Sequence, residues 1–137
     1  MYKHALLTLV LLAGIVTAAS AAQQQPCHAQ RGMHVTLFGG VDDPDVLVWD
    51  SRNRLVNYGA GSTDTRRFLL PHAMLTRPGT RAVVESCVAG IVHQKFSMDA
   101  DDAVGVLIVT GKFRGRYGWV SSSDLRGKGI PEAREPW

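Results

Sequence analysis

Three glutamates are all the chain has, and two of them, Glu132 and Glu135, lie near its end. A glycosidase works with two carboxylates across a cleft, and here the other acidic residues are aspartates in turn-like stretches. Gly61-Ser62-Thr63 lacks the Gly-x-Ser-x-Gly elbow of a serine hydrolase. No His-x-His or His-Glu-x-x-His spacing joins His28, His34, His72 and His93, so no zinc or other metal site is expected. EF-hand spacing is missing too. After the first apolar segment no stretch approaches the roughly 20 residues of a membrane span. Repeats, low-complexity tracts and an internal linker are all lacking. These absences leave no catalytic residue and no cofactor to name, and the chain is not expected to be an enzyme.

What is present fits one small domain. The chain has 137 residues, 45% of them apolar and 20% charged, which excludes a disordered or fibrous class. Fourteen Gly and six Pro imply many turns and argue against a helical bundle. The net charge of +3 is only a weak pointer to an acidic partner.

Met1 to about Ala22 has the form of a secretory signal peptide. Lys3 supplies the positive start, Ala5 to Val16 the apolar run, and Ala18-Ala19-Ser20-Ala21-Ala22 the small residues a signal peptidase needs. The run spans about 12 residues, short of a membrane anchor. Cys27 lies beyond Gln23-Gln24-Gln25-Pro26, which disfavours a lipoprotein. The expected mature chain is soluble, exported and about 115 residues long, periplasmic or secreted. It keeps two cysteines, Cys27 and Cys87. In an oxidising compartment these are expected to pair. A catalytic thiol and a metal pair are the alternatives, and neither has a supporting spacing. A closed loop of about 60 residues is worth roughly 4 kcal/mol in the chain-entropy model.

The mature chain is predicted to be mostly β. Met33 to Phe38 alternates in part. Val46-Leu47-Val48-Trp49 and Leu55-Val56-Asn57-Tyr58 are expected to form a hairpin through Asp50 to Arg54. Arg77-Pro78-Gly79-Thr80 is a strong turn, because Pro presets one dihedral and Gly accepts the next. Ala82 to Cys87 follows and is expected to pair with Gly90 to Phe96. Ala103 to Thr110 is apolar on both faces, so it should be central and buried on both sides. Gly118 to Ser121 is a last short strand. Thr63 to Leu75 competes as a helix capped at Ser62 or Thr63, but Pro71 in its interior costs roughly 3 kcal/mol. A strand at Arg67–Leu70 or a single turn fits as well. Residues 128–137, with Pro131 and Pro136, are expected to be a flexible tail.

Val106 to Leu125 carries a family resemblance. Its β-run, the turn Gly111-Lys112-Phe113-Arg114-Gly115, then Gly118-Trp119-Val120, polar residues and Leu125 resemble the end of a bacterial SH3-like domain. Gly111 and Gly115 suit the hairpin turn, and Gly118 a tight bend into the last strand. Ser123-Asp124-Leu125 suits one 3₁₀ turn with Leu125 plugging the core. The match covers about 20 residues. The resemblance implies a small SH3-like barrel spanning residues 23–127, a single domain with one disulfide. It also implies a binding role, with cell-wall peptide or an envelope protein as partner. The glycine pattern is similar to the KOW motif as well, but export argues against nucleic acid.

The candidate ligand-binding residues are Arg114, Arg116, Tyr117 and Trp119. Trp119 matches the family signature, and core packing competes with a ligand role there. Tyr117 and Phe113 are candidates for exposed contacts. Arg52/Arg54 and Arg114/Arg116, two apart, would each share a face on a strand. The pair Arg66/Arg67 completes the basic spots. The clusters Asp42/Asp43/Asp45 and Asp99/Asp101/Asp102 are expected to be solvated turns. The leading expectation is a non-catalytic binding or structural module of the bacterial cell envelope. A small secreted inhibitor or accessory subunit of an envelope protein is the alternative. A hydrolase would show itself by two converging titratable groups, with His72 and an Asp the pair to inspect.

Overall fold

A computed structural model describes residues 26–42, 44–61, 70–95 and 97–131. The signal segment, the cap at Ser62 or Thr63, the Arg66/Arg67 pair and tail residues 132–137 lie outside the described residues.

The described residues form seven strands, and every pairing is antiparallel. They are β1 (His34–Leu37), β2 (Val46–Trp49), β3 (Ala73–Thr76), β4 (Thr80–His93), β5 (Ala100–Ile108), β6 (Tyr117–Ser121) and β7 (Leu125–Arg126). Helix α1 (Arg52–Gly59) lies between β2 and β3. The sheet order is β3-β2-β6-β5-β4-β1-β7. The chain leaves β6, makes a 3₁₀ turn at Ser122–Asp124, and returns as β7 onto β1.

All seven strands contribute to one apolar cluster. Val35, Leu37, Val46, Val48, Met74, Ala82, Val84, Val104, Val106, Ile108, Val120 and Leu125 belong to it. Seven neighbouring strands can meet in one cluster only if the sheet curls around it, and this one forms a curled half-barrel. Each fully buried Val, Leu or Ile side chain there stabilises by roughly 1.5–3 kcal/mol. A second cluster lies on the other face, where Trp49, Leu55, Val92 and Ala103 pack together under α1. β5 sits in the middle of the order and supplies both clusters, as its two apolar faces foretold. Leu125 is fully buried after its 3₁₀ turn, and Gly79 turns the chain at φ +85° with Thr80 N–H donating to the Arg77 carbonyl at 3.2 Å.

The expected hairpin of Val46–Trp49 with Leu55–Tyr58 does not form. β2 pairs instead with β3 and, at Trp49, with β6. Residues 52–59 are helical because Ser51 caps them, its hydroxyl accepting from Arg54 N–H at 3.3 Å. Leu55 is buried, and Val56 and Tyr58 lean on Trp49's cluster. At Gly59 an added Cβ would stand 3.1 Å from Val92 and 3.2 Å from the His93 carbonyl oxygen, so the helix end lies close on β4.

Ala82–Cys87 and Gly90–Phe96 do not pair with each other either. Residues 80–93 are one strand that pairs along β5, with irregularities between Val84 and Ser86 and between Val88 and Val92. Gly90 lets it continue at φ +64°, and its N–H donates to Asp102 Oδ1 at 2.9 Å. Asp101 and Asp102 therefore belong to β5 and are hydrogen-bonded, not free in a turn. Gly118 also has a different role from a bend. An added Cβ there would stand 2.8 Å from the Trp49 carbonyl oxygen and would strike Val48, so glycine is what lets β6 cross β2 closely.

Cys27 and Cys87 form the disulfide, with Cα atoms 6.3 Å apart and 60 residues of separation. It fixes the N-terminal residues to the middle of β4. A structural disulfide belongs to an oxidising, extracellular-type environment.

Candidate functional site

The two aromatic candidates meet on the helix-side face of the sheet. Tyr117 and Trp119 are two apart on β6, so their side chains share a face. Their rings stand edge to face, with centroids 6.0 Å apart at 87°. Tyr117 is 43% exposed and its hydroxyl hydrogen-bonds the Ser86 hydroxyl at 2.9 Å. Trp119 is half-buried and packs against the second cluster. Core packing thus accounts for part of its surface, and the rest is open. Val120 faces the opposite way into the main core.

The arginines are arranged differently from the expectation. Arg114 and Arg116 lie exposed in the turn between β5 and β6, not on a strand with a shared face. Neither forms an ion pair with another described residue. The cation that meets Trp119 is Arg52, its guanidinium carbon 5.9 Å from the ring centroid. Such a contact is worth about 0.5–1 kcal/mol at an exposed site. Arg52 was read beside Arg54 as a strand pair. On α1 they diverge, because residues two apart on a helix do not face each other. Arg54 binds Asp50 instead. Phe113 is half-buried against the main cluster, with Lys112 Nζ 5.5 Å from its centroid, so it is less open than expected.

Beside this face lies a cleft of about 500 Å³. Leu47, Trp49, Leu55, Tyr58 and Leu75 line its apolar wall. Trp49 and Tyr58 have ring centroids 4.9 Å apart. The polar rim comes from Asp45, Gln94, Ser121 and Asp124. Part of that rim is held rigid, because Gln94 Nε2 and the Ser121 hydroxyl both donate to Asp101 Oδ2 at 2.9 Å. Asp124 has an interaction of its own. Its volume falls in the range that small-ligand sites use, and polar groups share the lining almost equally with apolar ones. Sequence missed this cleft because Leu55 and Tyr58 reach it only as helix residues.

His72 does meet an aspartate. Its Nδ1 lies 3.0 Å from Asp50 Oδ2, and Arg54 binds the other carboxylate oxygen. Desolvation pushes the Asp50 carboxyl up, but hydrogen bonds and charge from Arg54 and His72 outweigh it and hold it below the ordinary value. The trio sits at the surface and ties the start of α1 to the 3₁₀ turn Leu70–His72. Ser51, next to Asp50, has its hydroxyl committed to the helix cap. Among the described residues one cluster has metal-ligand proximity, namely Cys27, Cys87 and Asp102 within 4.8 Å. Its two sulfurs are bonded to each other, and a disulfide sulfur is no thiolate ligand.

No family model, no curated protein and no solved structure matches this chain.

Proposed function

We propose that this chain is an exported, non-catalytic binding module of the bacterial cell envelope, periplasmic or secreted, built as an SH3-like domain. The cleft under α1 carries the reading. It offers an apolar wall from Leu47, Trp49, Leu55, Tyr58 and Leu75, with the Asp45 carboxylate at the rim. A cell-wall peptide supplies the complement, short apolar side chains and amino groups. Its carboxylates would meet Arg114 and Arg116, exposed in the turn that leads into β6. The order glycine hairpin, Gly118-Trp119-Val120, 3₁₀ turn and buried Leu125 supports the SH3-like part. So does the return of β7 onto β1, which leaves only a two-residue strand at that end of the sheet. The disulfide supports export. A rigid, stapled frame loses little entropy on binding.

The test is co-sedimentation of residues 23–137 with purified sacculi across a salt series. Saturable pelleting, reduced by Asp45→Lys and by Arg116→Ala with Tyr117→Ala, is the expected result. No pelleting at low salt overturns the wall ligand. A protein partner is the second reading, and one feature favours it, the uncovered edge of β3.

A further inference from the structure

β3 ends the sheet order, so among the described residues no strand pairs with its outer edge. Native sheets usually protect such an edge with Lys, Pro or a bulge. Ala73-Met74-Leu75-Thr76 contains neither Lys nor Pro. The opposite edge, β7, is only two residues long. β3 is also regular, pairing with β2 over all four residues without a register shift.

The strand stands between two hollows. Met74 and Thr76 are buried toward the main core, while Leu75 is 58% exposed. On one side is the cleft already described, which Ala73 and Leu75 help to line. On the other is an apolar groove of about 310 Å³, lined by Thr76, Ile108 and Phe113 with Arg77 and Lys112 at its rim. Leu75 borders both. The two hollows differ in charge, since the groove carries two cations and the cleft the Asp45 carboxylate.

We infer that β3 accepts an extended acidic peptide from a partner protein as an added antiparallel strand. Main-chain hydrogen bonds along β3 supply affinity, and alternate side chains supply specificity. Side chains alternate across a strand, so one set of the partner's residues points to each hollow. Carboxylates are selected on the Arg77/Lys112 side and bulky apolar groups on the Leu47/Leu75 side. The inference rests on reading the chain as a binding module. It does not require the ligand to be wall peptide.

The probe is a fluorescent, capped peptide of about eight residues alternating Glu and Leu. Two derivatives carry N-methyl groups on one or the other alternate set of amides. An added strand uses only one set toward β3, so one derivative should lose binding and the other keep it. A Lys–Leu peptide should bind about tenfold more weakly or less. Arg77→Glu with Lys112→Glu should reverse that preference. Leu75→Lys should abolish binding with an unchanged thermal midpoint, because the site is exposed. Equal binding of both methylated peptides overturns strand addition. So does no binding by the wild-type chain. A wild-type dimer that Leu75→Lys dissolves would make a second copy the occupant and overturn the partner-peptide assignment. Sacculus pelleting is scored separately, so loss of the wall ligand and loss of the strand are distinguishable.

Discussion

The Tyr117 hydroxyl meets the Ser86 hydroxyl at 2.9 Å, over the place where Gly105 has no side chain. Gly105 pairs with Ser86 on one side and Trp119 on the other, so three strands share one row. The tyrosine reaches across from two residues along β6, where it pairs with Leu107. An aromatic ring over a strand glycine covers backbone that would otherwise face water, and it pins register. Tyr117→Phe should cost about 1 kcal/mol, the usual worth of a partly exposed hydrogen bond. Gly105→Ala drives a methyl group into both hydroxyls and should cost roughly 2 kcal/mol. In a Tyr117→Ala, Ser86→Ala background that cost should fall below about 1 kcal/mol. Urea titration of the cycle checks it.

Two glycines near the hairpin should respond for different reasons. Gly118→Ala presses on the Trp49 carbonyl, which is backbone and cannot step aside, so a loss of roughly 2–3 kcal/mol is expected. Gly111 has φ +81° and open space around it. Its alanine variant pays only for the left-handed conformation, about 1 kcal/mol after the gain from a stiffer unfolded chain. Denaturation midpoints should rank the two, and the reverse order would contradict the crossing of β6 over β2.

Acid should reveal the Asp50 trio. The folded carboxyl lies below its ordinary value of 3.8. The unfolded state therefore binds more protons in that window, and stability rises with pH there. The contribution is complete above the ordinary value and is lost as pH falls through the lower folded one. Its size is small, because both His72 and Asp50 are well exposed. Asp50→Asn should flatten the slope of thermal midpoint against pH between about 5 and 2. His72→Ala should move the Asp50 titration, followed by NMR, back toward the ordinary value.

Reducing the disulfide should cost up to about 4 kcal/mol, the value for closing a loop of this size. The double variant Cys27→Ser, Cys87→Ser should match the wild-type chain in dithiothreitol. The fold should survive if the total stability lies in the upper part of the common range of about 5–15 kcal/mol. Urea midpoints with and without reductant give the difference directly.

Much of this architecture is written in local chemistry. Pro78-Gly79 and Gly111 with Gly115 mark their turns because few other residues adopt those dihedrals. Val104, Val106 and Ile108 on one face, with Ala103 and Leu107 on the other, announce a central strand because both faces are apolar. Leu125 after a polar turn is legible in the same way. Leu55-Val56-Asn57-Tyr58 is not, since a short β-rich run says little about the helix that Ser51 starts. Its helical state follows from a cap and from Trp49 beneath it, a tertiary fact. Gly90 reads in sequence as the start of a second strand and proves to be an irregularity within one, its N–H held by Asp102 from the next strand. Trp119 is singled out by the Gly-Trp-Val resemblance and Tyr117 by its place near the hairpin, whereas Arg52 reaches Trp119 only through the helix.

The Cys27–Cys87 bond also decides where a mechanical load would travel. It makes residues 27–87 a covalent ring that contains β1, β2, α1 and β3. A pull between the N-terminal segment and the C-terminus passes across the sulfurs straight into the middle of β4. The covalent path through the rest of the ring is bypassed, and β1 is loaded only through its pairing with β7. The tension falls on the pairing of β4 with β5, β5 with β6, and β7 with β1. The cleft walls from β2, α1 and β3 therefore sit on the unloaded part of the chain, and they would keep their shape while the termini are under strain.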